Sequence, residues 1–146
     1  MEAWISKWLK FQLIKMASIF SKIVAGEIPC HKIAESADYL AFLDINPIAK
    51  GHTLVIPKMG TDYIFDLEDE LLGGLMIFAK KVAKAIDQAI PSKRIGIMVV
   101  GTEVPHAHIH LVPFQQESDI NIAKPKMIVS QADLAEIAAE IRAFVK

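Results

Sequence analysis

Residues 105–113 read PHAHIHLVP. Imidazoles at 106, 108 and 110 alternate with Ala107, Ile109 and Leu111. Successive side chains of a strand point to opposite faces, so this period of two sets His106, His108 and His110 on one face and the apolar residues on the other. An ordinary solvated strand face would carry Thr, Lys or Glu instead. Two chemistries are open to such a row. Imidazole is a common zinc ligand, and His52, on a separate candidate strand, would supply a distant third nitrogen. Geometry limits that option: at ~3.3 Å per residue the Cα atoms of His106 and His110 lie ~13 Å apart, so at most two of the row reach one ion. The other option is attack at phosphorus. An imidazole of ordinary pKa ~6.5 is largely neutral and nucleophilic at pH 7, while protonated neighbours would neutralise phosphoryl oxygens.

Outward from this segment, the chain alternates short strand and helix signals. Residues 18–26 (SIFSKIVAG) predict a short helix closed by Gly26. Residues 30–36 and 39–45, joined at Ser36–Asp38, predict a hairpin, and HTLVIPK (52–58) a third strand. Asp66 followed by Asp69 resembles a capping box. Leu71, Leu75, Ala79, Val82, Ile86 and Ile90 then recur at helical spacing until Pro91. Gly73 and Gly74 interrupt that helix at ~1 kcal/mol each relative to Ala, a cost that close packing on a sheet would explain. RIGIMVV (94–100) and HAHIHLVP (106–113) predict two more strands, and Ser130 and Asp133 open a last helix with Leu134, Ile137, Ala138, Ile141 and Val145 as its apolar stripe. The order of helix, three strands, helix, two strands and helix implies an α+β fold with a mostly antiparallel sheet.

Length bounds this at one domain: 146 residues leave no room for a second core. With 53% hydrophobic and 23% charged residues the composition is globular rather than disordered. Sixteen basic against seventeen acidic residues, a formal net charge of −1, argue against nucleic acid as a partner and against a polybasic membrane binder. A single cysteine excludes an internal disulfide framework and any Cys-rich zinc site, and suits a reducing, cytoplasmic setting. Residues 1–17 read as an N-terminal extension to a domain at 18–146. Within it Trp4, Ile5, Trp8 and Leu9 share one helical face, with Lys7, Lys10 and Lys15 elsewhere. Three readings stay open: an interfacial helix against lipid or a partner, a helix packed on the domain, or a natural start at Met16. Interrupting lysines argue against a signal peptide.

His106-Ala-His108-Ile-His110-Leu-Val resembles the signature of the histidine triad (HIT) family of nucleotide-binding proteins. IFSKIVAGEIP (19–29), YLAFLDINP (39–47) and GHTLVIPK (51–58) are similar to further segments of that family, in the same order, so the resemblance spans roughly 18–115. It implies a five-stranded antiparallel sheet with flanking helices, continued across a homodimer. It implies hydrolysis or transfer at the α-phosphate of a purine nucleotide through a nucleotidyl-histidine, with no cofactor and no metal in the attack. His108 would be the nucleophile, with His110 and His52 contacting phosphate oxygens or the nucleophile's surroundings. His106 would orient the His108 ring, partly through its backbone carbonyl. Asp44 would accept the ribose hydroxyls. Ile19, Phe20, Ile23, Phe42, Leu43 and Ile45 match positions lining the base pocket, although burial in the core would equally explain them.

The sequence departs from the family in two places. MVVGTEVPH (98–106) is shortened, with Thr102 where Gln is usual and Glu103 next to it. Either side chain could stand in for the missing polar contacts, and Glu103 for a general acid, against a plain reading as a solvated loop carboxylate. Ser18 and Ser21 occupy the positions of a C-x-x-C pair that holds a structural zinc in many bacterial members, so that zinc is not expected. Cys30 reads as a small, half-buried residue at a strand start, His31 as surface, and Lys58 as structural. Besides the hydrolase, three functions remain open: a zinc-dependent hydrolase using His106, His108 and His52, a nucleotide-binding regulatory module with little turnover, and a membrane-associated protein using residues 1–15.

Overall fold

A computed structural model describes residues 18–146; the N-terminal extension and its three readings lie outside the described residues. Ser18 caps the first helix, α1 (Ile19–Val24), by accepting the Ser21 N–H at 3.0 Å. The helix closes as expected at Gly26, which takes φ +79°. Then come β1 (Lys32–Glu35), β2 (Tyr39–Leu43) and β3 (Thr53–Pro57), the long helix α2 (Asp69–Ala89), β4 (Arg94–Met98), β5 (Ile109–Phe114) and the final helix α3 (Gln131–Arg142). The strands form one antiparallel sheet in the order β1-β2-β3-β5-β4. The α+β class and the element order expected from the sequence are both present.

Three boundaries differ from expectation. The Asp66–Asp69 pair is not a capping box: Asp66 ends a 3₁₀ turn (Ile64–Asp66), and α2 begins after Glu68 with no side-chain cap. Asp69 and Glu70 instead place negative charge at the helix's positive end. The triad strand starts at Ile109 rather than His106, because the Ala107 N–H donates to Thr61 O at 2.6 Å in the loop beyond β3. β4 stops at Met98, leaving Val99 and Val100 exposed. At its far end α2 stops as predicted: Ile90 is extended, as the residue before a proline prefers.

Alternation along the strands sorts the core into two clusters. Ala41, Leu43, Val55, Ile109 and Leu111 meet Leu75, Ala79, Val82 and Ile86 of α2 and Leu134, Ile137 and Ile141 of α3. Leu40, Phe42, Leu54 and Ile56 face the other way and are covered by Phe20 of α1. The close packing expected of the α2 glycines holds for one of them. A Cβ on Gly74 would fall on the Tyr39 hydroxyl, which donates to Leu71 O at 2.9 Å, whereas a Cβ on Gly73 meets nothing. The histidine face lies on the α1 side of the sheet, away from α2 and α3, and there a cavity opens.

Candidate active site

The four histidines assigned to the site, His52, His106, His108 and His110, converge on the α1 face of the sheet, and each is at least 94% buried. Such burial demands a partner for every ring nitrogen not reserved for a ligand, and the partners determine where each proton sits. At His52, Nδ1 accepts the Ile48 N–H at 3.2 Å. The ring's proton is therefore on Nε2, which donates to His110 Nδ1 at 2.9 Å. That in turn puts the His110 proton on Nε2. His108 runs the other way: its Nδ1–H donates to the His106 carbonyl at 2.7 Å, so its Nε2 carries the free lone pair. His106 is tied at both ends, donating from Nε2 to Pro57 O at 2.8 Å and accepting the Ser18 hydroxyl on Nδ1 at 3.0 Å, with Ser21 Oγ at 3.3 Å.

His108 and His110 thus present a lone pair and an N–H side by side, with ring centroids 4.8 Å apart. They line a cavity of about 240 Å³ with Ile19, Phe20, Asp44, Ile45, Thr102 and Glu103. The Phe20 ring stands edge-on to His108 with centroids 5.1 Å apart. Asp44 Oδ1 accepts the Asn46 N–H at 2.8 Å, and its Oδ2 lies 3.7 Å from His52 Nε2. A larger cavity, about 380 Å³, lies on the α3 side and touches neither His108 nor His110.

Burial pushes the His52 imidazole down to about 3, with His110, Lys126 and His108 adding to it, and His110 to about 4, with His108 and Lys126 adding; His106 is lowered too, chiefly by burial. The expectation of protonated neighbours is therefore corrected for His52 and His110: at neutral pH they are uncharged hydrogen-bond donors, and the His52–Asp44 approach is not an ion pair. Asp44 is itself raised, by desolvation first.

The residues expected in the base pocket divide. Ile19, Phe20 and Ile45 line the cavity. Phe42 lies behind Phe20, edge-on at 5.5 Å, and Ile23 packs beside it on the same cluster. Leu43 does not belong to this pocket: strand alternation turns it, like Ala41, into the helix-side core and toward the larger cavity. His52 and His106 do not line the cavity either and act through His110 and His108. His31 is remote, donating to Gln131 at 2.8 Å, and Lys58 pairs with Glu35. Cys30 is half-buried against the Phe20 cluster. Sequence reading missed Asn46, Ile122 and Lys126 on the cavity wall; the last two come from an irregular segment with no periodicity to mark them.

Metal binding finds little support in these donors. Ser18 and Ser21 offer hydroxyls in place of the C-x-x-C thiolates expected for a structural zinc, and His106 has no nitrogen to spare. His52, part of an Asp44–His52–His110 group whose candidate ligand atoms lie within 4.8 Å of one another, likewise spends both nitrogens on hydrogen bonds.

The model of the HIT domain matches residues 25–117, more than half of the chain. The chain belongs to the HIT family. Among its relatives in the family, an adenosine 5'-monophosphoramidase of Schizosaccharomyces pombe is 37% identical over 133 residues, covering 90% of this chain and all of that protein. A HIT-like protein from Bartonella henselae has a similar crystal structure, with TM-score 0.75 and 34% identity over 86% of this chain and 95% of that one. A zinc-bound HIT protein from Mycobacterium smegmatis matches with TM-score 0.75 and 28% identity, over 89% and 94% of the two chains. Among the described residues no HIT-domain helix is long and apolar enough to cross a membrane.

Proposed function

We propose that this HIT protein hydrolyses a nucleoside phosphoramidate or a (di)nucleoside polyphosphate at the α-phosphate. The observation carrying this reading is the pair of opposed tautomers: the His108 Nε2 lone pair beside the His110 Nε2–H, each fixed by a buried partner. The base sits against Ile19, Phe20 and Ile45, and Asp44 Oδ2 accepts the ribose hydroxyls. His108 Nε2 attacks phosphorus, and His110 Nε2–H donates to a phosphoryl oxygen whose charge grows as the bond forms. The P–N or P–O bond to the leaving group breaks, its electron pair stays on the leaving atom, and that atom takes up a proton from Glu103 or from water. Water then attacks the nucleotidyl-histidine, its proton passing to the Glu103 carboxylate or to solvent, the P–Nε2 bond breaks, His108 recovers its lone pair and the nucleoside monophosphate leaves. The relative named as an adenosine 5'-monophosphoramidase supports an amine as leaving group and adenosine as nucleoside.

The partner expected from the family is a second copy. Ile97, exposed on the edge strand β4, and Ile77 on α2 supply apolar surface for that contact. The cytoplasmic setting rests on the lone cysteine and the family resemblance.

The test is intact mass after rapid mixing with adenosine phosphoramidate, with AMP release followed in parallel. Wild type should gain one AMP, or release AMP too quickly for the adduct to build up, and His108→Ala should do neither. AMP binding without adduct or release would establish a binding module instead. Turnover abolished by a chelator and restored by zinc would overturn the metal-free mechanism.

A further inference from the structure

The cavity described above lacks one thing that a phosphate needs. His110 on its wall and His52 behind that ring are uncharged at neutral pH, and the wall carries two carboxylates, Asp44 and Glu103. A phosphate entering this site would meet hydrogen-bond donors and negative charge. Among the described residues, Lys126 is the cationic side chain on that wall.

Its placement is built rather than incidental. The Met127 N–H donates to Pro47 O at 2.8 Å, holding the backbone next to Lys126 against the loop that carries Asp44 and Asn46. The Lys126 ammonium donates to Ile122 O at 2.6 Å, across one turn of its own segment. That carbonyl uses one of three N–H donors. Among the described residues the ammonium is in no ion pair, whereas Lys124, two residues earlier, meets Asp119 at 3.9 Å. Its charge nevertheless reaches the chemistry, lowering the proton affinity of His52, His110 and Asp44 alike.

We propose that Lys126 is a phosphate-binding residue of this cavity, determining affinity for the charged part of the ligand and not for the nucleoside. The inference rests on the nucleotide reading above. Two remaining N–H donors on the cavity wall that also carries His108 and His110 complement phosphoryl oxygens, and a positive charge offsets what the neutral His110 donor leaves uncompensated. More highly charged phosphates should depend on it more.

Calorimetric titration of AMP and of adenosine into wild type, Lys126→Met and Lys126→Arg tests this. Lys126→Met should weaken AMP binding ~10–100-fold, the range for a charge-assisted hydrogen bond, and leave adenosine binding unchanged. Lys126→Arg should keep most of the AMP affinity. Added salt should weaken AMP binding to wild type more than to Lys126→Met. Equal weakening of AMP and adenosine in Lys126→Met would show a lysine that merely holds its loop, and unchanged AMP binding would show one that does nothing; either overturns the proposal alone. Failure of wild type to bind AMP and adenosine at all would overturn the nucleotide reading and the lysine's role with it.

Discussion

His52 is 1% exposed and does not line the cavity that holds His108 and His110, yet the orientation of the His110 proton depends on it. His52→Leu removes the donor to His110 Nδ1 and lets that ring take the other tautomer. We expect kcat to fall ~10–100-fold with KM changed little, as for loss of a donor used in the transition state. His52→Gln, whose amide can still donate, should recover part of that loss, which a purely structural role for the ring would not predict. His108→Ala should cost at least ~10³-fold in kcat, the order expected for removing a covalent nucleophile. Ser18 has two roles, capping α1 and donating to His106 Nδ1. Urea denaturation of Ser18→Ala should show a loss of ~1–2 kcal/mol.

At the scale of elements, α2 carries a built-in comparison. Gly73 and Gly74 are adjacent in one helix, and Ala is favoured over Gly there by ~1 kcal/mol on propensity alone. A Cβ on Gly73 meets nothing, so Gly73→Ala should raise stability by ~0.5–1 kcal/mol. On Gly74 the same Cβ falls on the Tyr39 hydroxyl, whose ring packs on Phe78 and bonds Leu71 O. Gly74→Ala should therefore lose ~1–3 kcal/mol, and adding Tyr39→Phe should restore part of it. Thermal unfolding of the four proteins gives the comparison. Helical period already puts Gly73 on the exposed face and Gly74 at the edge of the apolar stripe, and the approach of β2 turns that difference into a clash.

For the whole molecule, the buried imidazoles predict an acid-labile fold. In the unfolded chain histidines take up protons below pH ~6.5. In the folded chain His52 and His110 resist protonation down to about 3 and about 4. The unfolded state therefore binds more protons throughout that window, so stability is fully present above pH ~6.5 and is lost as pH falls. Each of the two contributes a slope of up to ~1.4 kcal/mol per pH unit. Urea midpoints should fall steeply between pH 7 and pH 5, and His110→Gln should flatten the dependence. A midpoint that does not change over that range would contradict the neutral relay. At the same scale, Ile97→Asp on the edge of β4 should convert a dimer to monomer in light scattering if the sheets join there.

Much of this was legible in the chain itself. The order of elements, the sheet class, the common face of His106, His108 and His110, and the helix start at Ser130 follow from periods of two and 3.6 and from short-range hydrogen bonds, which act between residues close in sequence. The same alternation separates Leu43 from Phe42. Other features belong to the tertiary structure alone. The proton positions on the four rings depend on Ile48, Pro57 and two serines, and the charge of His52 and His110 depends on how thoroughly the fold removes water from them. Lys126 reaches the cavity from an irregular segment sixteen residues beyond His110, by a backbone bond to Pro47. Sequence period reports which way a side chain faces within its own element; desolvation and electrostatic fields sum over every element packed around a group, and exist only once the chain has closed on itself.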